Sequence, residues 1–145
     1  MDQAFFTASW SEDPSKQVGS VLVRDNRIVS VGYNGFPTGV EHFVERLEKP
    51  EKLQWIEHAE RNSIYTASKM GHGTEGCILF STFFPCPSCS RAVIQAGIVE
   101  VVTMEPNPDS SWYKNTLISL AMFDEANIKV TLLNQQEYDA SRSNN

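Results

Sequence analysis

Two runs rich in apolar residues lie close together in the first quarter of the chain. Residues 18–24 and 27–33 are rich in Val and Ile, and β-branched side chains favour strands. Asp25 and Asn26 separate the two runs, and a two-residue connection of this kind is typical of a tight hairpin. The pattern therefore predicts an antiparallel pair of strands.

The sequence on either side of this hairpin is less regular. A short helix is predicted to run through Trp10 and to end at Asp13-Pro14. The Asn-Gly-Phe-Pro stretch at 34–37 breaks regular structure. Residues 38–54 are charged and lack clear periodicity at their start, which indicates a surface excursion, helical in part around 44–47. This excursion is expected to shape either a pocket or a subunit contact.

Helical and apolar strand patterns alternate after residue 54. Gly71 and Gly97 are suited to ending helices, and Pro87 to the first turn of one. Such alternation favours a partly parallel sheet with helices on both faces, so the fold class is predicted to be α/β. The predicted helices cover residues 55–70, 88–96 and 110–126, and the predicted strands cover 77–82, 99–104 and 128–133.

The 145 residues contain no internal repeat and no linker rich in Gly, Ser or Pro. This length is typical of one domain with a single core. A single domain over residues 1–145 is therefore predicted, with a polar tail at 134–145.

The charge balance narrows the classes of partner. Lys and Arg number 12 and Asp and Glu number 18, which gives a formal net charge of −6. An acidic chain argues against sequence-independent binding of nucleic acid, although a local basic pocket for one phosphate stays possible. No apolar run approaches the roughly 20 residues of a membrane span, and the N-terminus lacks the pattern of a secretory signal. A cytoplasmic protein that does not bind membranes is expected.

Two short motifs carry candidate chemistry. They are His58-Ala59-Glu60 and Pro85-Cys86-Pro87-Ser88-Cys89, and together they match the His-x-Glu and Pro-Cys-x-x-Cys signature of zinc deaminases. Cys86 and Cys89 lie three residues apart at a predicted helix start, so their sulfurs share one face. The helix N-terminus also favours their thiolate forms.

His58, in the first turn of the helix predicted over 55–70, is the expected third ligand. Three protein ligands leave one position open, as in catalytic zinc sites, and a water at that position has its pKa lowered toward about 7. Glu60 lies about 200° around a helix from His58. At a helix end it can still border that water, so it is expected to move protons and not to bind the metal.

Two other interpretations of these residues are open. A redox pair of Cys86 and Cys89 would leave His58 and Glu60 unexplained. A closed structural zinc site needs a fourth ligand, and the candidates His42, His72 and Cys77 have no tight spacing to the other three. The two histidines are expected at the surface, and Cys77 is expected in the core.

At these motifs the chain resembles the cytidine deaminase superfamily and, within it, the deoxycytidylate (dCMP) deaminases. The similarity extends from about residue 10 to residue 133. The segments that carry it are Asp13-Pro14-Ser15-Lys16-Gln17-Val18-Gly19, Gly32-Tyr33-Asn34-Gly35-Phe36-Pro37, His58-Ala59-Glu60-Arg61-Asn62-Ser63-Ile64, Phe84-Pro85-Cys86 through Cys89, and Ile94-Gln95-Ala96-Gly97-Ile98.

The resemblance implies a three-layer α/β/α fold around a five-stranded mixed sheet. It implies a hydrolase that acts on an amidine C–N bond, converting dCMP to dUMP and ammonia with one catalytic Zn²⁺ per chain, and a homo-oligomer, either hexamer or dimer. It also implies that Asn34 hydrogen-bonds the sugar hydroxyl and that Ala59, Phe84 and Pro85 contact the substrate.

The chain departs from the family pattern at positions that bear on the substrate. Glu12 stands where relatives often carry Lys or Arg, which puts phosphate binding at that corner in question. Lys16 and Arg61 are the alternative candidates for a substrate phosphate, although each is expected to be a solvated side chain. Ser63 replaces the usual Ala. Deamination of another nucleoside, nucleobase or nucleotide, of cytosine, guanine or tRNA adenosine type, is an alternative function. A catalytically silent zinc fold is another, against which Glu60 argues.

Overall fold

A single five-stranded mixed sheet organises the chain. The structure, a computed structural model, describes residues 1–143. The strand order is β2-β1-β3-β4-β5, with β1 antiparallel to β2 and β3, and with β3, β4 and β5 mutually parallel. The predicted mixed sheet is therefore confirmed. The strands are β1 (Gly19–Arg24), β2 (Arg27–Tyr33), β3 (Ile78–Ser81), β4 (Glu100–Met104) and β5 (Lys129–Leu133).

The predicted hairpin is present and its turn has the expected geometry. Asp25 and Asn26 both have positive φ angles, 52° and 58°. Positive φ at both central residues is the conformation of a two-residue turn whose twist matches that of the flanking strands. Asp and Asn tolerate this conformation better than most residues.

Six helices and one 3-10 turn are found in the described part of the chain. The 3-10 turn at Val44–Leu47 is the helical piece predicted within the excursion 38–54. The helices are α1 (Asp2–Ala8), α2 (Lys52–Trp55), α3 (Ala59–Lys69), α4 (Pro87–Gln95), α5 (Tyr113–Glu125) and α6 (Gln135–Ser143).

Close helix–strand approach on both faces of the sheet creates three layers. Gly32 pairs with Ser20 and shares its face, whereas Gly19, one residue earlier, lies on the opposite face. A Cβ atom on Gly19 would lie 2.1 Å from the backbone O of Ala4 in α1, and one on Gly32 would lie 2.3 Å from the backbone N of Ser63 in α3. Only glycine permits both approaches, so α1 and α3 cover opposite faces.

The helices α4 and α5 join α3 on its face. The helix α4 connects β3 to β4, and α5 connects β4 to β5. Crossovers between parallel strands are right-handed, so two that advance in the same direction across the sheet lie on the same face. The three helices pack side by side and cover a core of buried side chains. The core includes Leu22, Ala67, Cys77, Leu79, Phe84, Val93, Ile98, Val101 and Phe123.

The continuous helix predicted over 55–70 is wrong at its start. Glu57 exchanges two backbone hydrogen bonds with Gly35, at 3.1 and 2.9 Å, and this bridge holds the chain extended between α2 and α3. His58 is consequently the residue that precedes α3, with extended backbone angles, and it does not lie within a helical turn. A pairing between segments over twenty residues apart overrode the local helical pattern.

The polar tail predicted at 134–145 forms α6 as far as the described residues extend. Its Tyr138 stacks on Phe5 of α1 with ring centroids 5.2 Å apart and donates a hydrogen bond to Asp2. Residues 144 and 145, part of the predicted domain and tail, lie outside the described residues. Across residues 1–143 there is no helix with the length and apolar character that crossing a bilayer requires.

Candidate active site

Two helix N-termini meet at one end of the sheet and bring the motif residues together. Cys86 directly precedes α4 and Cys89 lies in its first turn, with Pro87 as the first helical residue. His58 directly precedes α3 and Glu60 lies in that helix's first turn. Because α3 and α4 pack against each other, residues almost thirty positions apart become neighbours.

The three expected metal ligands are nearly equidistant. The Cys86 and Cys89 sulfurs are 3.6 Å apart, and His58 Nδ1 lies 3.6 Å from Cys86 Sγ and 3.4 Å from Cys89 Sγ. Tetrahedral zinc with ordinary bond lengths separates its ligands by about 3.8 Å between sulfurs and about 3.6 Å between sulfur and nitrogen. The triangle therefore fits three ligands of one zinc ion and leaves the fourth position to a non-protein ligand.

The electrostatic environment favours a thiolate at this triangle. Hydrogen bonds from the Cys89 thiol and from His58, with the first-turn N–H of α4, lower the pKa of Cys86 to about 3. The hydrogen bond to Cys86 and burial raise the pKa of Cys89, so Cys86 holds the negative charge of the pair. The same Cys86 hydrogen bond raises the pKa of His58. A soft anionic donor beside an imidazole is a set that zinc prefers.

No fourth protein ligand joins the triangle within the part of the chain that the structure describes. His42 Nδ1 instead lies 2.8 Å from Glu12 Oε2 at the surface. Cys77 is fully buried in the core, as predicted, and remains a free thiol. His72 is exposed. A closed structural site built on these residues is therefore not formed.

Glu60 is a buried carboxyl beside the triangle. Its side chain is only 3% exposed, and Oε2 lies 3.6 Å from Cys89 Sγ. Burial raises the pKa of Glu60 above its ordinary value, because a charged carboxylate is poorly solvated there. Within residues 1–143 it has no Lys or Arg in ion-pair contact. This carboxyl can therefore both accept and give up a proton.

A cavity of about 170 Å³ opens from this cluster toward the surface. Of the residues expected to contact substrate, Asn34, Ala59 and Phe84 line it together with His58 and Glu60. Pro85 is fully buried and does not line it. The cavity is walled otherwise by Asp13, Ser15, Lys16, Val18, Lys49, Lys52, Leu53, Ile56, Phe83, Cys86 and Trp112.

The Asn34 side chain is already bonded to protein groups. Its Nδ2 donates to Asp13 Oδ2 at 3.0 Å and to the Lys16 carbonyl at 2.9 Å. Its Oδ1 accepts from the Val18 N–H at 2.7 Å. Both amide hydrogens are therefore committed, and only a second lone pair on Oδ1 is free for a sugar hydroxyl. Asn34 fixes the loop that carries Asp13 and Lys16 to the start of β1.

The two candidate phosphate ligands differ in their surroundings. Lys16 lines the cavity, whereas Arg61 is not among its lining residues and forms an ion pair and hydrogen bond with Glu57. Lys49 and Lys52 also line the cavity and were not singled out from the sequence. The sequence feature that could have identified Lys49 and Lys52 is their position in the charged excursion just before the His-x-Glu motif.

The family model for the cytidine and deoxycytidylate deaminase zinc-binding region matches residues 1–105. An uncharacterised deaminase in the luxG 3′ region of Aliivibrio fischeri is 42% identical over 132 residues, which cover 90% of this chain and 88% of that protein. The deoxycytidylate deaminase of Homo sapiens is 38% identical over 111 residues, which cover 72% of this chain and 61% of the human protein. This chain thus spans less than two thirds of the human relative.

A solved structure has the same fold. It is the dCMP deaminase of the cyanophage S-TIM5 in complex with dCMP and dUMP, with a TM-score of 0.75 over 91% of this chain and 92% of that one. At 24% sequence identity this likeness bears on the fold alone, and it agrees with the three layers and mixed sheet described above.

Proposed function

The chain belongs to the cytidine and deoxycytidylate deaminase family, and from that premise we propose that it converts dCMP to dUMP and ammonia by hydrolysis. The observation that carries the proposal is the buried Glu60 carboxyl, which lies beside the His58, Cys86 and Cys89 triangle and lines the same cavity. A purely structural metal has no need of such a carboxyl.

His58, Cys86 and Cys89 are the proposed zinc ligands, with one ion per chain. The bound ion would act as a Lewis acid and lower the pKa of a water molecule toward neutral pH. The separations of 3.4 to 3.6 Å among the three donor atoms support this assignment.

Glu60 is proposed to carry the protons of the reaction. Its carboxylate takes a proton from the attacking water as the C4–O bond forms, and it gives that proton to ring atom N3. The proton of the new C4 hydroxyl then passes through Glu60 to the amine as the C4–N bond breaks, which leaves the C4 carbonyl and ammonia. The balance is dCMP plus water to dUMP plus ammonia, and Glu60 ends in its starting state.

The cavity walls are proposed to hold the nucleotide. Ala59 and Phe84 line the cavity together with Glu60, where they would contact the cytosine ring. The free lone pair of Asn34 Oδ1 would accept a sugar hydroxyl. Pro85 is buried and does not line the cavity, so its proposed contribution is its place next to Cys86.

The experiment is ammonia release by the zinc-loaded protein with dCMP, CMP, deoxycytidine, cytosine and dCTP, and with adenine and guanine compounds alongside. Preferential turnover of dCMP is expected. Turnover of only an unphosphorylated pyrimidine or of a purine would retain the chemistry and overturn the substrate. Absence of turnover with every compound would favour the silent zinc fold.

Replacement of Glu60 by Gln separates proton transfer from metal binding. Glu60→Gln keeps the shape of the side chain but cannot accept a proton, so kcat should fall by about a thousandfold or more while the zinc content stays near one ion per chain. Glu125→Gln, on an exposed position of α5, is the matched control. Turnover that survives Glu60→Gln would refute the assigned role.

The proposal includes a cytoplasmic location and a homo-oligomeric state, either hexamer or dimer. None of the three cysteines forms a disulfide, which supports a reducing compartment. An exposed cluster of Phe6, Trp10 and Tyr33, with edge-to-face ring contacts at 5.6 and 6.0 Å, supports a subunit contact. Light scattering coupled to size exclusion would measure the subunit number, and a strictly monomeric protein would contradict the oligomer.

A further inference from the structure

Three lysines of this acidic chain line one cavity. Lys16, Lys49 and Lys52 all lie on the wall of the cavity that contains Glu60, although the chain carries a net charge of −6. They come from two separate segments, the loop before β1 and the excursion 38–54. Concentration of cations at one cavity in an acidic protein indicates that the cavity receives an anionic ligand.

One of these lysines is neutralised by the protein itself. Lys52 forms an ion pair with Asp13 and donates a hydrogen bond to Ser15 Oγ. The side chains of Lys52 and Asp13 are 13% and 1% exposed, so this pair is largely shielded from water. Its charges cancel, and its contribution is to fasten the excursion onto the loop before β1.

The other two lysines have no acidic partner in the described part of the chain. Across residues 1–143 neither Lys16 nor Lys49 has a carboxylate within ion-pair distance. The Lys16 ammonium lies 4.9 Å from the centre of the Phe83 ring, another wall of the cavity, and a cation over an aromatic face is held there without being neutralised. Two uncompensated ammonium groups suit a dianionic phosphate monoester.

Asp13 contacts both segments that carry the lysines, the loop before β1 and the excursion 38–54. Its Oδ1 accepts from the backbone N–H of Ser15 and of Lys16, at 2.9 and 3.2 Å, while it binds Lys52 from the excursion. Lys49 lies three residues before Lys52, the first residue of α2. The buried carboxylate therefore sets the separation between Lys16 on one segment and Lys49 on the other.

We propose that Lys16 and Lys49 bind the 5′-phosphate of the nucleotide substrate, and that the Lys52–Asp13 pair positions them. This inference rests on the proposed nucleotide deamination and assigns its phosphate site. Glu12 does not oppose it, because its carboxylate faces His42 and is not part of the cavity wall. Selectivity for a phosphorylated substrate then depends on the excursion, which carries no catalytic group.

The test measures phosphate recognition separately from turnover. The dissociation constants of dUMP and of deoxyuridine, which are not deaminated, are measured by calorimetry on the zinc-loaded wild-type protein. The double variant Lys16→Gln/Lys49→Gln is measured in the same way. Turnover of dCMP and deoxycytidine is followed in parallel, with inorganic phosphate added to the deoxycytidine assay.

Wild type is expected to bind dUMP at least a hundredfold more tightly than deoxyuridine, and each lysine lost should cost roughly tenfold. The double variant should bind the two ligands within a few fold of each other, and its loss in kcat/KM should be at least tenfold larger for dCMP than for deoxycytidine. Lys16→Arg/Lys49→Arg should restore most of the preference, because the positive charge returns. Lys69→Gln, on an exposed position at the end of α3, should change nothing.

The two ways of failing are distinct. If wild type deaminates dCMP and the double variant keeps the preference for dUMP over deoxyuridine, the phosphate site is misassigned and the proposed function stands. If wild type does not deaminate dCMP but binds dUMP through these lysines, the proposed reaction fails and the anion site stands. If inorganic phosphate inhibits deoxycytidine turnover equally in wild type and double variant, the lysines do not form the site.

Discussion

The two ends of the cavity are built in different ways. At the inner end, His58, Cys86 and Cys89 lie at the N-termini of α3, which packs on the sheet, and of α4, which packs on α3 and α5. At the outer end, Lys16 and Lys49 lie on exposed segments without regular structure, which are joined through a buried ion pair. Changes at the inner end are therefore expected to affect the chemistry, whereas changes at the outer end are expected to affect which substrate binds.

Loss of a metal ligand tests the inner end and has the largest expected effect. In Cys89→Ala the triangle loses one of its three donors, so zinc should be lost and deaminase activity should fall below detection. Metal content by mass spectrometry and ammonia release are the measurements. Cys89→Ala protein that keeps stoichiometric zinc would show that the triangle is not the metal site.

Cys77→Ala is the matched control for that variant. Cys77 is fully buried in the core and away from the triangle. Removal of its sulfur leaves a small cavity that should cost about 1 kcal/mol of unfolding free energy, with zinc content and kcat unchanged. Comparison of the two cysteine variants separates the effect of lost core packing from the effect of lost metal binding.

Removal of the buried carboxylate tests the outer end. Asp13→Asn leaves Lys52 without its counter-charge in a largely buried position, so the free energy of unfolding should fall by about 3 kcal/mol. The preference for dUMP over deoxyuridine should also weaken, while zinc stays bound. Urea unfolding and calorimetry measure the two effects, and Asp124→Asn, exposed on α5, is the control. Unchanged ligand preference in a destabilised variant would show that the pair only supports folding.

Acid should remove the same interaction in the wild-type protein. Burial tends to raise the pKa of Asp13, but hydrogen bonds from Lys52, Ser15 and Lys16 outweigh it and hold the pKa below the ordinary value of 3.8. A lowered folded-state pKa contributes stability that is complete above the unfolded value and is lost as pH falls through the folded value. The stability difference between wild type and Asp13→Asn should therefore be constant from pH 7 to about 5 and shrink below pH 3.8. Urea unfolding at each pH measures this difference. Both proteins have the same zinc ligands, so protonation of those ligands cancels in the comparison.

The smallest effect is expected at the surface pair of Glu12 and His42. Both side chains are more than half exposed, and exposed ion pairs contribute little to stability. Glu12→Gln should change the unfolding free energy by less than about 0.5 kcal/mol and leave kcat/KM for dCMP within twofold. A large rise in activity toward dCMP would instead show that the Glu12 carboxylate repels the substrate.

The local sequence was sufficient to predict the hairpin and to identify the metal motif. The turn at Asp25 and Asn26 depends on the backbone preferences of those two residues, and the Cys86 and Cys89 spacing depends on one helical turn. The start of α3 was not predictable in this way, because the bridge between Gly35 and Glu57 joins segments far apart in sequence. The helix α6 was missed because it lacks an apolar stripe and docks through Tyr138 on Phe5.

The sequence by itself indicated the family, the metal motif and the alternation of helices and strands, because each depends on neighbouring residues or on short spacings. Only the tertiary structure decided that Asn34 is committed to the loop before β1, that Arg61 is occupied by Glu57, and that Lys49 joins Lys16 at the cavity. These facts depend on distances between segments that local propensity does not encode. They are fixed by buried hydrogen bonds and one buried ion pair, whose partners become defined only when the chain is folded.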